Sequence, residues 1–211
     1  MFKTQVPKEH YYNQYDDLPR FISYYYQTDL VKQLNPTTVL EIGIGNKTTT
    51  NYLKQQGFNV TTCDFDQTLQ PDYVADIRKL PFQNNKYDCV MACEILEHIP
   101  YQDIDKALNE IHRVTKKHAI ISLPYSSAAF ECTLRFPLIE KIFKKHFLNL
   151  FFRIPYFWIK PDTKGQHYWE IGRKGYPIKK IRNKLSEKFT IKKETRPTMD
   201  AYHHFFTLEK K

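Results

Sequence analysis

Short apolar segments alternate with helical segments along residues 39–123, and this alternation constrains the fold more than any other feature of the 211-residue chain. Two helices are predicted within it, at 47–56 and 102–117. The five predicted strands span 39–42, 58–63, 72–77, 87–93 and 118–123. Because strand–helix–strand units connect parallel strands through right-handed crossovers, this part of the chain predicts a parallel sheet with helices on both faces.

The segments on either side extend this α/β domain. A helix is predicted at 17–34, ahead of the first strand, and another at 176–188. Two further strands, near 189–196 and 203–209, are joined by a turn and predict an antiparallel closing hairpin. The sequence therefore predicts one seven-stranded, mostly parallel sheet.

Residues 126–165 interrupt the pattern after the fifth strand, with nine aromatic residues and seven Lys/Arg against three Asp/Glu. We predict a helical insert with loops. Three interpretations stay open for it: a cap packed on the domain, an amphipathic segment that contacts anionic lipid, or a lid that binds an acidic or glycosidic substrate.

Composition excludes several classes of protein. The 41% hydrophobic and 26% charged residues are ordinary for a globular chain, and no apolar run reaches the length of a membrane span. The N-terminus has no apolar secretory region. Cys63, Cys89, Cys93 and Cys132 form no CxxC pair, which predicts reduced thiols in a cytoplasmic protein. No metal-binding motif is present, so no metal is predicted.

A glycine turn follows the first predicted strand. Gly43 and Gly45 allow the backbone to turn sharply and to approach a ligand closely, and Glu41 precedes them. Thr48 occupies the third glycine position of a dinucleotide-binding loop, which disfavours a dinucleotide oxidoreductase. Asp64 ends the second strand, where an acid can accept hydrogen bonds from both ribose hydroxyls.

Two later segments complete the pattern: 75–82, which contains Asp76, and 87–99, which contains Leu96-Glu97-His98-Ile99. Together the four segments resemble the class I S-adenosylmethionine-dependent methyltransferases, in particular small members of the ubiquinone-biosynthesis-like type with a type 11 methyltransferase domain. The resemblance covers 37–125 closely and extends to 176–209. It implies a Rossmann-like fold, S-adenosyl-L-methionine as cofactor and S-adenosyl-L-homocysteine as product.

The resemblance also implies which residues bind the cofactor. The glycine loop would hold its methionine part, Asp64 its ribose hydroxyls and Asp76 its adenine amino group. Lys47 departs from the family, many of whose members have a third glycine there. The implied cofactor positions are Glu41, Gly43, Gly45, Asp64, Phe65, Asp76, Ile77, Cys93 and Glu94.

The resemblance divides the single domain into four parts: an N-terminal segment and helix, a cofactor-binding half, an acceptor-side insert, and a closing helix and hairpin. Their bounds are 1–36, 37–125, 126–170 and 171–211. His167 is the candidate general base because imidazole titrates near neutrality. Glu170 can orient it, and Tyr125 is a further candidate base.

The leading hypothesis is methyl transfer to a small-molecule, glycan or lipid-linked acceptor by direct displacement, with peripheral contact to an anionic membrane left open. Two alternatives remain. One is an RNA methyltransferase, because residues 173–193 hold nine Lys/Arg and one Glu, although their amphipathic pattern favours a solvated helix face. The other is a non-catalytic cofactor-binding module at a membrane surface. The oligomeric state stays undetermined.

Overall fold

In a computed structural model, the chain is described over residues 8–12, 15–136, 147–161 and 166–211. Four α-helices lie in these ranges: α1 (Leu18–Leu34), α2 (Thr48–Gln55), α3 (Ile104–Val114) and α4 (Ile178–Ser186). The strands are β1 (Thr38–Ile42), β2 (Asn59–Asp64), β3 (Tyr73–Val74), β4 (Tyr87–Cys93), β5 (Thr115–Pro124), β6 (Ser127–Leu134), β7 (Leu148–Pro155), β8 (Phe189–Thr195) and β9 (His203–Lys210).

Seven of these strands form one sheet in the order β3-β2-β1-β4-β5-β9-β8. β1, β2, β3, β4 and β5 pair in parallel, whereas β9 pairs antiparallel with both β5 and β8. The predicted mostly parallel sheet with an antiparallel closing hairpin is confirmed. Because parallel strands bring their carboxyl ends to one edge, the loops that follow β1, β2 and β4 meet there.

Alternating strand residues supply two cores, one on each face of the sheet. Leu40 and Ile42 lie in the core that includes buried residues of α3 and α4. Val39, from the same strand, lies in the core that includes Leu30 and Leu53, from α1 and α2. Helices therefore cover both faces, as predicted. No helix within the described ranges has the length and apolar character needed to cross a membrane.

The helix predicted at 102–117 is shorter in the structure. α3 ends at Val114, and β5 begins at Thr115, whose hydroxyl donates to the Ile111 carbonyl. β5 pairs with β4 from its first residue, since Thr115 lies opposite Tyr87. Strand pairing thus outweighs the local helical preference of these residues.

The described parts of the insert differ from the predicted helices and loops. β6 and β7 pair antiparallel as a separate two-stranded sheet, with Ser127 opposite Pro155 and Leu134 opposite Leu148. Exposed apolar and half-buried positions alternate along β7, and this period of two is that of a strand. The helical prediction for 137–146 lies outside the described residues.

Trp169 anchors the segment that returns from the insert to the sheet. Its side chain is fully buried, and its indole Nε1 donates to the Ile99 carbonyl at 3.1 Å. Its ring packs edge-on against Tyr101, with ring centroids 5.2 Å apart. The Tyr168 amide donates to the Glu97 carbonyl at 2.8 Å. These contacts fix the backbone directly after His167.

We expect Trp169→Ala to lower the free energy of unfolding by about 3–5 kcal/mol, because the change leaves a large cavity and an unpaired buried carbonyl. Urea unfolding followed by circular dichroism measures this loss. Trp158→Ala is the matched control, because Trp158 is 55% exposed, and we expect it to change stability by less than about 0.5 kcal/mol. Equal effects of the two substitutions would contradict the anchoring role.

Candidate functional site at the carboxyl edge of the sheet

A cavity of about 830 Å³ opens where the carboxyl ends of β1, β2 and β4 meet. Residues before and within α1 close one side of it, and residues 166–168 close another. All nine positions implied to bind the cofactor line this cavity: Glu41, Gly43, Gly45, Asp64, Phe65, Asp76, Ile77, Cys93 and Glu94. The structure therefore brings the predicted set together in one place.

The glycine loop after β1 needs its glycines for two reasons. Gly43 has a φ of +80°, and a Cβ there would lie 1.9 Å from Ile95 Cδ1. Gly45 has a φ of +47° and faces the ring of Tyr11. Lys47, where the family often has glycine, adopts a φ of +64° all the same. Its Nζ donates to the Gln70 carbonyl at 2.8 Å, so the departure from glycine preserves the left-handed turn of the loop.

Glu41 lies beneath this loop and is buried. Its carboxyl group accepts a short hydrogen bond from the Thr50 hydroxyl. Burial raises the pKa of Glu41 from 4.5 to about 7, although the Thr50 bond and Lys54 act in the opposite direction. Glu41 therefore holds its proton at the acidic end of the physiological range.

Asp64 ties the glycine loop to the end of β2. One carboxylate oxygen accepts from the Ile44 amide at 2.9 Å, and the other accepts from the Asp66 amide at 2.9 Å. Burial raises the pKa of Asp64, while these backbone hydrogen bonds oppose the rise. Phe65, 46% exposed, lies beside it at the cavity rim. Because each carboxylate oxygen can accept a second hydrogen bond, Asp64 keeps capacity for ligand hydroxyls.

Asp66 and Arg78 also line the cavity, and neither was among the predicted site residues. The Asp66 carboxylate caps the short helical turn at 67–69 by accepting from Thr68. The sequence signal that could have identified Asp66 is an acidic residue two positions after the end of β2. Arg78 holds Asp76 through its Nε at 2.9 Å and an Nη at 2.6 Å. Burial would raise the pKa of Asp76, but the hydrogen bonds from Arg78 keep it below the usual range.

Glu94 and Cys93 stand at the end of β4. Glu94 has a φ of +55°, an uncommon conformation for a residue with a side chain. One of its carboxylate oxygens accepts from the Ser122 hydroxyl at 2.8 Å, which ties it to β5. The other lies 3.9 Å from Nε2 of His203. The Glu94 side chain is therefore hydrogen-bonded to β5 and lies close to β9.

His167 and Glu170, two of the three predicted catalytic residues, form a hydrogen-bonded pair. Nδ1 of His167 lies 2.9 Å from a Glu170 carboxylate oxygen. The other oxygen accepts from Ser126 at 2.5 Å and from Arg173 at 2.9 Å. Burial alone would raise the pKa of Glu170, but these partners lower it to about 2. Glu170 is therefore an ionised group that orients His167, and His167 lines the cavity.

Tyr125, the third predicted catalytic residue, does not line the cavity in the described structure. It is buried, and its ring lies beneath the guanidinium of Arg153 at 4.0 Å. Its amide donates to the Tyr202 carbonyl. Its backbone forms an isolated parallel bridge with Ile171. Tyr125 therefore lies apart from the residues that line the cavity, and its catalytic role stays a prediction.

Glu97 and His98 flank the same end of the cavity. Glu97 is fully buried, and neither of its carboxylate oxygens has a hydrogen-bond partner among the described residues. Burial, reinforced by Glu94, raises the pKa of Glu97 well above its usual range. Nδ1 of His98 lies 3.0 Å from the Gln166 carbonyl. Burial lowers the pKa of His98 to about 4, so its imidazole is neutral at pH 7.

The N-terminal segment and the start of α1 contribute tyrosines to the cavity. Tyr11, Tyr15 and Tyr24 line it together with Arg20, whose guanidinium lies 4.5 Å from the centre of the Tyr15 ring. Asn46 of the glycine loop donates to Asp16 at 2.9 Å. The segment therefore closes over the loop, whereas residues 1–7 and 13–14 lie outside the described ranges.

Comparison with known families gives one match. Residues 40–123 match the model of the family described as methyltransferase domain. The matched region begins in β1 and ends in β5, so it contains the glycine loop, Asp64, Asp76 and Glu94. No curated protein matches the chain.

Several solved structures share the fold at low identity. The 1,6-didemethyltoxoflavin-N1-methyltransferase of Burkholderia thailandensis, solved with 1,6-didemethyltoxoflavin and S-adenosylhomocysteine, is 15% identical with a TM-score of 0.61, over 96% of this chain and 84% of that one. The magnesium protoporphyrin IX methyltransferase of Synechocystis, solved with S-adenosylmethionine, is 14% identical with a TM-score of 0.59, over 98% and 93%.

The N-methyltransferase NodS of Bradyrhizobium japonicum, solved with S-adenosylhomocysteine, is 12% identical. Its TM-score is 0.54, and the alignment covers 92% of this chain and 89% of that one. At these identities the likeness establishes the shared fold.

The raised pKa of Glu41 predicts a pH-dependent stability. Between pH 4.5 and about 7 the unfolded chain releases this proton while the folded chain keeps it, so the free energy of unfolding falls as the pH rises. We expect Glu41→Gln to remove this fall, which amounts to roughly 2–3 kcal/mol between pH 5 and pH 8. Urea unfolding of both proteins across this range measures it. Parallel pH curves for wild type and variant would show that Glu41 is ionised in the folded protein.

Proposed function

We propose that this chain, whose residues 40–123 match a methyltransferase domain, is a class I S-adenosylmethionine-dependent methyltransferase. It transfers the methyl group by direct displacement to a small-molecule acceptor, with glycans and lipid-linked molecules in that class. One observation carries the proposal. A single cavity of about 830 Å³ is lined at one end by the glycine loop and the acidic residues near it, and at the other end by His167, which Glu170 orients. Its size is that of small-ligand sites, which span roughly 300–1,000 Å³.

The residues at the first end fit S-adenosylmethionine. When bound, this cofactor supplies a methyl group on a sulfonium sulfur, and S-adenosylhomocysteine remains after transfer. Asp64 would accept from the ribose hydroxyls, and Phe65 at the rim would pack on the adenine. Asp76, already oriented by Arg78, would accept from the adenine amino group. Gly45, where a Cβ would meet only the ring of Tyr11, would let the methionine part approach the loop backbone closely.

The residues at the second end would hold the acceptor. Tyr15 and Tyr202 line the cavity near this end, and they would exclude water from the transfer step. Glu170 accepts the Nδ1 proton of His167, so the lone pair of His167 lies on Nε2. In the simplest arrangement this nitrogen takes a proton from the acceptor, as a general base.

A small acceptor accounts for the basic stretch at 173–193 better than RNA does. Ile181 and Leu185 of α4 are buried against the sheet, as the amphipathic pattern predicted. Arg182 and Lys184, on the same helix, pair with Glu194 and Asp105. Charges neutralised within the protein contribute little to phosphate binding. The four free cysteines support the proposal of a reducing, cytoplasmic location.

Asp64→Ala tests the cofactor site. We expect it to weaken S-adenosylhomocysteine binding by about 10- to 150-fold, because hydrogen bonds to a charged acceptor contribute about 1.5–3 kcal/mol. Asp76→Ala is expected to cost less, because the adenine retains its stacking contact. Isothermal titration calorimetry measures both, and Asp105→Ala on the outer face of α3 is the control. Unchanged affinity in a folded Asp64→Ala protein would remove Asp64 from the site.

A second proposal concerns the β6–β7 hairpin, which we infer lies against an anionic membrane surface. One face of β7 consists of Leu148, Leu150, Phe152 and Ile154, and all four are exposed. Across the hairpin, Phe152 lies opposite Phe130, which is 65% exposed. A contiguous apolar face of this kind marks an interaction surface.

Charge and aromatic residues favour a membrane as the occupant of this face. Phe157 and Trp158, just after β7, are 67% and 55% exposed, and Trp is common at membrane–water interfaces. Arg135 and Lys160 are exposed at the ends of the hairpin, and the chain carries a net charge of +9. Such a contact would give the enzyme access to a lipid-linked acceptor.

Phe152→Ser tests the hairpin. We expect it to lower binding to phosphatidylglycerol-containing vesicles by roughly 10- to 150-fold, because a buried Phe side chain contributes about 1.5–3 kcal/mol. Co-sedimentation measures the bound fraction, with pure phosphatidylcholine vesicles for comparison. Tyr52→Ser is the matched control, because Tyr52 is an exposed aromatic residue on α2. Vesicle binding that is absent in wild type, or equal in Phe152→Ser, would overturn the proposal.

A further inference from the structure

We propose that Glu97, His98 and His167 bind one divalent cation of the Zn²⁺ class at the inner end of the cavity. The inference departs from the sequence analysis, which predicted no metal. The three residues offer one carboxylate oxygen and two imidazole nitrogens, and these ligand atoms all lie within 4.8 Å of one another. Two imidazoles and one carboxylate form a ligand set that suits Zn²⁺ and related transition metals and leaves coordination positions open.

The distances allow one ion to reach all three groups. Nε2 of His98 lies 3.9 Å from the nearer Glu97 carboxylate oxygen, and the two imidazole rings are 4.8 Å apart between centroids. Since Zn²⁺ binds such atoms at about 2 Å, ligands of one ion lie within about 4 Å of each other. Side-chain shifts below about 1 Å would therefore complete the site.

The outer hydrogen bonds place the lone pairs of both imidazoles on Nε2. A carbonyl oxygen, that of Gln166, faces Nδ1 of His98 at 3.0 Å, and a Glu170 carboxylate oxygen faces Nδ1 of His167 at 2.9 Å. Both acceptors require a protonated Nδ1, so each neutral ring carries its lone pair on Nε2. Histidines that bind metals almost always donate their other N–H to a carbonyl or carboxylate in this way.

Glu97 is the independent observation that indicates a missing partner. Its side chain is fully buried, yet neither carboxylate oxygen accepts a hydrogen bond from any residue in the described ranges. A buried polar group without a partner destabilises a protein, and a buried carboxylate without one does so strongly. Nε2 of His98 approaches the nearer Glu97 oxygen only to 3.9 Å, which is longer than a hydrogen bond. A cation between the three groups would compensate for its burial.

The proposed ion would lie where the acceptor binds, because His98 and His167 both line the cavity. This part of the inference rests on the proposed methyl transfer. An acceptor hydroxyl oxygen at an open coordination position would lose its proton to solvent more readily, because a bound cation lowers its pKa. That oxygen would form the bond to the methyl carbon, while the cofactor sulfur retains the electron pair of the bond that breaks. The acceptor class is then a hydroxylated compound.

Metal binding is tested without any acceptor, by calorimetric titration of the chelator-treated full chain with Zn²⁺ at pH 7. We expect one tight site per chain in wild type. Glu97→Gln and His98→Gln should weaken that site by at least about 100-fold, and Glu170→Gln, which alters only the orientation of His167, by roughly 10- to 100-fold. His112→Gln is the matched control, because His112 lies on α3, outside the cavity, and it should keep the tight site.

Titration of the same proteins with S-adenosylhomocysteine separates this inference from the proposed function. Retained S-adenosylhomocysteine affinity in Glu97→Gln and His98→Gln shows that they fold, so their loss of Zn²⁺ would support the cation site. Equal Zn²⁺ affinity in these variants and in wild type would overturn it, as would absence of a tight site in wild type, and His167 would then act as a general base. A wild-type chain that binds Zn²⁺ but not S-adenosylhomocysteine would overturn the proposed function alone.

Discussion

Four carboxyl groups collect at the carboxyl edge of one parallel sheet, away from water, and much of the surrounding structure serves to hold them. Removing a carboxylate from water is costly unless hydrogen bonds or opposite charge compensate. Each of three receives a different compensation: Glu41 keeps its proton beside Thr50, Asp64 accepts two backbone amides, and Glu94 accepts from Ser122. Glu97 receives none from the described residues, and for this reason it carries the proposal of a bound cation.

The two ends of the cavity are built differently. The proposed cofactor end rests on strand termini and on the loop that Asp64 ties to β2, so its geometry follows from the sheet itself. The proposed acceptor end is assembled from segments far apart in sequence: Tyr15, the 166–168 segment and Tyr202. Trp169 joins this end to the core through its bond to Ile99.

Local patterns predicted the sheet and its helices well, because alternation of apolar residues reflects burial directly. They failed where pairing partners decide the structure. Residues 115–117 join β5 because β4 lies beside them, and 127–134 form a strand because 148–155 return antiparallel. Aromatic and basic residues in the insert fit a helix or a strand equally well by composition. The pairing of distant segments selects between the two, and composition does not describe it.

The sequence by itself determined the parallel strands of the first half of the chain and the position of the acidic glycine loop, because both depend on short-range pattern and on right-handed crossovers. Its site predictions placed nine residues that the fold brings into one cavity. Only the tertiary structure decided that Glu170 orients His167, that the ring of Tyr125 packs against the guanidinium of Arg153, and that Glu97 is buried beside two histidines. The physical reason is that these arrangements join segments up to about 70 residues apart, such as Trp169 and Ile99, and burial and hydrogen-bond partners exist only once those segments have met.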